Sequence, residues 1–177
     1  KKRNPYYLSF TLMKQLPSMN FKRINMDAAA SKLIPIVSVV LVSLITVRWL
    51  FVPGFLPTHD GEYHLIRFYE FGRMIAAGNF FPRWAPGLNS GYGVPLFNFF
   101  YPLSNYIGSF FHLFGFSLAD AFRLTLGVGY LLAAISSYLW LRRYMRGNAA
   151  LAGALIGAFV PYWFVDIFVR GSIGEVL

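Results

Sequence analysis

Leu33-Ile34-Pro35-Ile36-Val37-Ser38-Val39-Val40-Leu41-Val42-Ser43-Leu44-Ile45-Thr46-Val47-Arg48-Trp49-Leu50-Phe51 is an apolar run of the length a helix needs to cross a hydrocarbon core, about 20 residues. Its single charge, Arg48, stands near the far end, where a long side chain reaches the head groups. Lys1, Lys2, Arg3, Lys14, Lys22, Arg23 and Lys32 precede the run with only Asp27 against them, so residues 1–32 are expected to stay cytoplasmic and the helix to exit outward. Directly beyond it comes His59-Asp60-Gly61-Glu62-Tyr63-His64, a knot of titratable groups where the chain leaves the lipid. Ionisable side chains cost roughly 2.5 to 3.5 kcal/mol at a bilayer centre, so their collection at its boundary marks a candidate site.

Composition agrees with a membrane protein. Of the 177 residues 56% are hydrophobic and only 13% charged, a profile that would aggregate as a soluble domain. A net charge of +9 would suggest nucleic acid on a globular protein, but here the cations sit at the ends of apolar stretches and not on one basic face. Nucleic acid is therefore not an expected partner. With no cysteine, disulfides and thiolate metal sites are excluded. The sequence has no initiator Met and stops at Gly174-Glu175-Val176-Leu177 within apolar sequence, so it is expected to be a piece of a longer polytopic protein.

Arg142, Arg143 and Arg146 form a second cationic group that should also be cytoplasmic, which requires an odd number of crossings after Phe51. Two apolar stretches lie between, so one must not span. Residues 95–116 hold Pro95, Asn98, Pro102, Asn105, Gly108 and His112 among many aromatics and read as interfacial or re-entrant, with a surface helix over about 98–115. Residues 118–141 read as the second span, with Ser117 or Asp120 capping its start, and 149–169 as the third, after a cytoplasmic turn at 142–148. Residues 170–177 then begin another outer segment, bringing Asp166, Arg170 and Glu175 to the face that holds Asp60. Within the outer loop, 52–117, residues 63–77 show His64, Arg67, Glu70 and Arg73 at three-residue steps among apolar residues, ending at Gly78. This pattern predicts a helix lying on the membrane surface with a narrow charged stripe. The fold class is thus all-α integral membrane, with about three transmembrane helices plus interfacial helices in the first outer loop.

This order of elements resembles the amino-terminal module of GT-C membrane glycosyltransferases. The closer resemblance is to bacterial and archaeal membrane proteins labelled 6-pyruvoyl-tetrahydropterin-synthase-related. It is carried by Asp60-Gly-Glu-Tyr-His64, Pro82-Arg-Trp-Ala-Pro86, Gly91-Tyr-Gly-Val-Pro-Leu-Phe97, Phe100-Tyr-Pro102, Ala158-Phe-Val-Pro-Tyr162 and Arg170-Gly-Ser-Ile-Gly-Glu175. The pterin label finds no support in the residues, since His59, His64 and His112 lie on membrane-associated segments and do not form a zinc set. The resemblance implies a prokaryotic cytoplasmic membrane, an extracytoplasmic site, and Asp60 as general base on an acceptor hydroxyl. A lipid-linked sugar, polyprenyl phosphate with its good leaving group, would be the partner alongside membrane lipid, and one base plus a cation for the departing phosphate would suffice. Arg67, Arg83 and Arg170 are candidate phosphate partners because guanidinium offers forked donors. Glu62, His64, Trp84, Tyr101 and Glu175 complete the candidate substrate-binding set. No metal-ligating set is assigned and the cofactor is unknown, a divalent metal being compatible with the chemistry.

Each residue also has a structural reading. Asp60 fits the N-cap of a helix beginning near Gly61, Arg67, Glu70 and Arg73 fit a solvated ion-paired stripe, and Asp166 and Arg170, four apart, fit a helix-end pair. Trp84, Tyr92 and Tyr101 fit an aromatic interface belt. A non-catalytic protein that binds or moves a lipid-linked glycan, or a structural membrane subunit, are the alternatives.

Overall fold

The computed structural model describes residues 26–52 and 56–177, with side chains from Leu33 onward; most of the predicted basic segment, 1–25, lies outside the described residues. Helix α1 (Met26–Val47) tightens into a 3-10 turn at Arg48–Phe51. It is followed by α2 (Gly61–Ala76), α3 (Pro102–Leu113), α4 (Leu118–Leu141), α5 (Gly147–Ala158), α6 (Pro161–Phe164), a wide π-type stretch at Val165–Arg170 and α7 (Ile173–Val176). Among the described residues there is no strand, only an isolated antiparallel bridge between Ala85 and Val94.

Leu33–Phe51, Leu118–Leu141 and Gly147–Arg170 are long and apolar enough to cross a membrane, which makes this a multi-pass helical membrane protein. Leu41, Ile45, Leu132 and Ile156 on these segments are all more than half exposed, as side chains that face lipid would be. By contrast α3, with 12 residues, reaches only about 18 Å and cannot span. The expectation that this stretch does not cross therefore agrees with its length.

Helix α4 starts on a side-chain cap: the Ser117 hydroxyl accepts the Asp120 N–H at 3.1 Å and donates to the Asp120 carboxylate at 2.6 Å. Against α4, helix α5 lays Ala150, Ala154 and Ala158, small side chains on one face at four-residue spacing and almost fully buried. Helices α2 and α3 approach as closely: the Phe68 ring fills the space a Cβ at Gly108 would need, and the Ser109 hydroxyl donates to the Phe68 carbonyl at 2.9 Å.

Two expectations need correction. The third span is not one helix over 149–169. Pro161 has no N–H and forces Val160 into extended geometry (φ −60°, ψ 130°), so α5 stops at Ala158. The Ala158 carbonyl left at this break accepts the Tyr130 hydroxyl at 2.7 Å. Residues 170–177, expected to begin another outer segment, pack in part on the bundle. Gly171, at φ +67°, reverses the chain, and Ile173 and Val176 are buried, the latter against Gly129 of α4. Finally, α2 presents only part of its charged stripe to solvent: Arg73 is exposed and Arg67 half-buried. His64 and Glu70 are buried, whereas Tyr63, Ile66 and Tyr69 are exposed. The cause is partnering: one Glu70 oxygen accepts the Gly87 N–H at 2.8 Å and the other pairs with Arg73 at 3.0 Å, so this carboxylate pins the loop instead of being solvated.

Candidate functional site

The last carbonyls of a helix have no intrahelical partner, and the chain leading into α2 takes two of them. The His59 N–H bonds the Val169 carbonyl at 3.0 Å and the Asp60 N–H bonds the Arg170 carbonyl at 2.9 Å. Residues more than a hundred positions apart are joined by backbone alone. Gly171 makes this junction possible twice over: its positive φ suits glycine, and a Cβ there would overlap Thr58 and touch Phe122. Phe122 in turn lies under His64, ring centroids 6.0 Å apart. The starts of α2 and α4 and the end of the π-type stretch therefore meet at one end of the bundle. Arg142 and Arg143 follow the opposite end of α4, ~36 Å of helix away.

Asp60 occupies the N-cap position of α2 but makes no side-chain capping bond, so the capping reading fails and its carboxylate is unclaimed by the helix. His64 is almost fully buried. Desolvation first, and the Arg67 charge second, push its pKa down to about 4 against the opposing pull of Asp60, so it is a neutral imidazole near neutral pH. Its Nδ1 has no hydrogen-bond partner among the described residues. The Arg67 guanidinium stacks on the Phe100 ring at 3.8 Å to the centroid. Partial burial lowers its pKa, while Tyr101 and Asp60 act in the opposite sense. A small hollow of about 210 Å³ beside it is lined by Tyr63, Ile66, Arg67, Leu88 and Leu96, an apolar slot with one cation. The Tyr101 ring lies over Gly174, where any Cβ would overlap it.

Arg170 sits in a ring of acceptors. It bonds Asp166 at 2.7 Å and Glu175 at 2.6 Å, and approaches the Tyr162 hydroxyl at 3.4 Å; that hydroxyl also donates to Glu175. Arg170, then Tyr162, hold the Glu175 carboxyl down to about 2. Asp166 is fully buried, and its second oxygen has no partner among the described residues.

Of the candidate residues, then, Asp60, His64, Arg67, Tyr101, Arg170 and Glu175 are brought into one neighbourhood. Glu62 is on α2 beside them but points to the exterior. The Trp84 indole fills the space a Cβ at Gly93 would need, next to the Ala85–Val94 bridge, and Arg83 lines a different hollow. Thr58, Phe100 and Tyr162 were not among the candidate site residues. A tyrosine directly after a helix-breaking proline was the available signal for Tyr162; Thr58 had none. Among the described residues no three His, Asp or Glu side chains are close enough to hold a metal ion. Compared with protein-family models, with curated proteins and with solved structures, the chain matches none.

Proposed function

We propose that this chain is a GT-C-like module that transfers a sugar from a polyprenyl-phosphate donor at the extracytoplasmic face of a prokaryotic cytoplasmic membrane, with Asp60 as general base. The observation that carries the reading is the pair of backbone bonds from His59 and Asp60 to Val169 and Arg170, which sets an otherwise unclaimed, half-buried carboxylate in the neighbourhood of the Arg67 guanidinium. An acceptor hydroxyl needs one base, and the departing lipid phosphate needs one cation beside an apolar slot for the first isoprene units.

Arg67 suits that cation better than Arg170. Arg170 is already neutralised by Asp166 and Glu175, so a phosphate would have to displace carboxylates from it. Arg67 has no carboxylate bonded to it among the described residues; its face is fixed on Phe100, and it borders the apolar hollow. The Arg170 group is then the fastener that holds the two halves of the site together. His64, neutral and buried, positions α2 against α4 and carries no charge at neutral pH.

The test is sugar transfer in membranes holding the intact chain, assayed with a panel of polyprenyl-phosphate hexoses. Asp60→Asn should cut turnover by about 10²-fold or more with donor binding retained. Retained turnover removes the base assignment. A variant that loses only lipid-glycan affinity or flux favours the non-catalytic carrier.

A further inference from the structure

The outer loop holds a second and larger hollow, about 480 Å³, which shares no lining residue with the Asp60 group. Phe71, Phe81, Arg83, Phe97, Asn98 and Tyr106 line it. Its inner wall is fixed: Phe71 meets Phe97 and Tyr106 edge-on, centroids 5.0 and 4.8 Å apart, and the Tyr106 hydroxyl donates to the Phe80 carbonyl at 2.5 Å. The only charge in the lining is Arg83. Its side chain is exposed and has no carboxylate partner among the described residues, unlike Arg73 of the same loop, which Glu70 neutralises. Phe80, Phe81 and Phe99 around it are 64%, 82% and 81% exposed, whole rings presented outward by a loop attached to membrane spans.

Rings so placed are unfavourable in water and favourable at the boundary between head groups and acyl chains. A guanidinium and a neutral amide lining one hollow, with no carboxylate in the lining, select an anion there. We infer that this hollow binds the phosphodiester headgroup of an anionic membrane phospholipid, Arg83 supplying forked donors and Asn98 a neutral one, while Phe80, Phe81 and Phe99 enter the acyl boundary. The volume fits a headgroup and leaves the chains outside. This inference does not depend on sugar transfer; it makes the loop a lipid-anchored platform.

The experiment uses the intact chain in dodecyl maltoside micelles, titrated separately with dihexanoyl phosphatidylglycerol, dihexanoyl phosphatidylcholine, glycerol phosphate and inorganic phosphate, with binding read by intrinsic tryptophan fluorescence. Saturable phosphatidylglycerol binding is expected, about tenfold weaker in Arg83→Ala, less affected in Arg83→Lys and unchanged in Arg143→Ala. Asn98→Asp, an isosteric change at an exposed position that sets a carboxylate in the hollow, should weaken binding to a similar degree and serves if the Arg83 variants fold poorly. Equal binding of the two lipids, or phosphatidylglycerol affinity unchanged in Arg83→Ala and Asn98→Asp, overturns the inference. If glycerol phosphate or inorganic phosphate binds as tightly as phosphatidylglycerol, the site takes soluble phosphate and the lipid assignment is overturned.

Discussion

Helix α4 and the segment Gly147–Arg170 have the same number of residues, 24 each, and both are apolar enough to cross a membrane, yet they do opposite work. The first is unbroken, capped by Ser117, and supplies the core through Phe122, Leu126, Tyr130 and Tyr138, all essentially buried. The second is interrupted at Pro161, widens after Val165, and supplies the groups that meet Asp60. A helix consumes its own carbonyls except in its last turn and at a break, and the second segment offers both. The candidate site forms at the end of the broken segment, whose last carbonyls, Val169 and Arg170, are taken by the chain leading into α2, while the carbonyl freed at the break itself goes to Tyr130.

That contrast is most easily broken at Gly171. Gly171→Ala combines a left-handed backbone with overlap onto Thr58, so unfolding in micelles should show a loss of about 3 kcal/mol, together with loss of the Asp60–Arg170 junction. A loss below about 1 kcal/mol would show that the junction is loose. Glu70→Ala should come next, costing about 2 kcal/mol by leaving the Gly87 N–H and Arg73 without their acceptor; faster proteolysis of the loop between the first two spans is the readout. Tyr130→Phe removes the donor that α4 lends to the broken segment at Ala158, for about 1 kcal/mol, and a null result would mean that the break satisfies itself.

Acid should separate the regions as well. The His64 pKa is depressed on folding, so its contribution to stability is complete above about pH 6.5 and is lost as pH falls toward about 4. Unfolding followed from pH 7 to 4 should show this decline in the native chain and not in His64→Phe. The smallest effect belongs to Gly157→Ala, in the regular part of the third span with open space beside it: a gain of about 0.5 kcal/mol, opposite in sign to the same change at Gly171.

The spans were legible because length and apolar content are properties of contiguous sequence, and the break at Pro161 was readable by the same logic, although a continuous 149–169 span was expected. Asp60 and Arg170 were each legible as charges at a lipid boundary. What joins them was not, because an N–H to carbonyl bond carries no side-chain signature. Glu70 shows the same limit: at three-residue spacing from Arg67 and Arg73 it reads as part of a solvated stripe, and nothing in the sequence says that the amide of Gly87 will draw it inward. Trp84 and Arg83 stand next to each other in the candidate binding set, but the indole lies against Gly93 and the guanidinium next to it lines the larger hollow.

The grip of Glu70 on Gly87 turns residues 71–86 into a lariat, closed at its neck by one carboxylate and strapped midway where Tyr106 holds Phe80. A chain cut within such a noose keeps both new ends tethered, so a single nick between Gly78 and Pro86 would go unnoticed by gel filtration and surface only when the polypeptide is denatured.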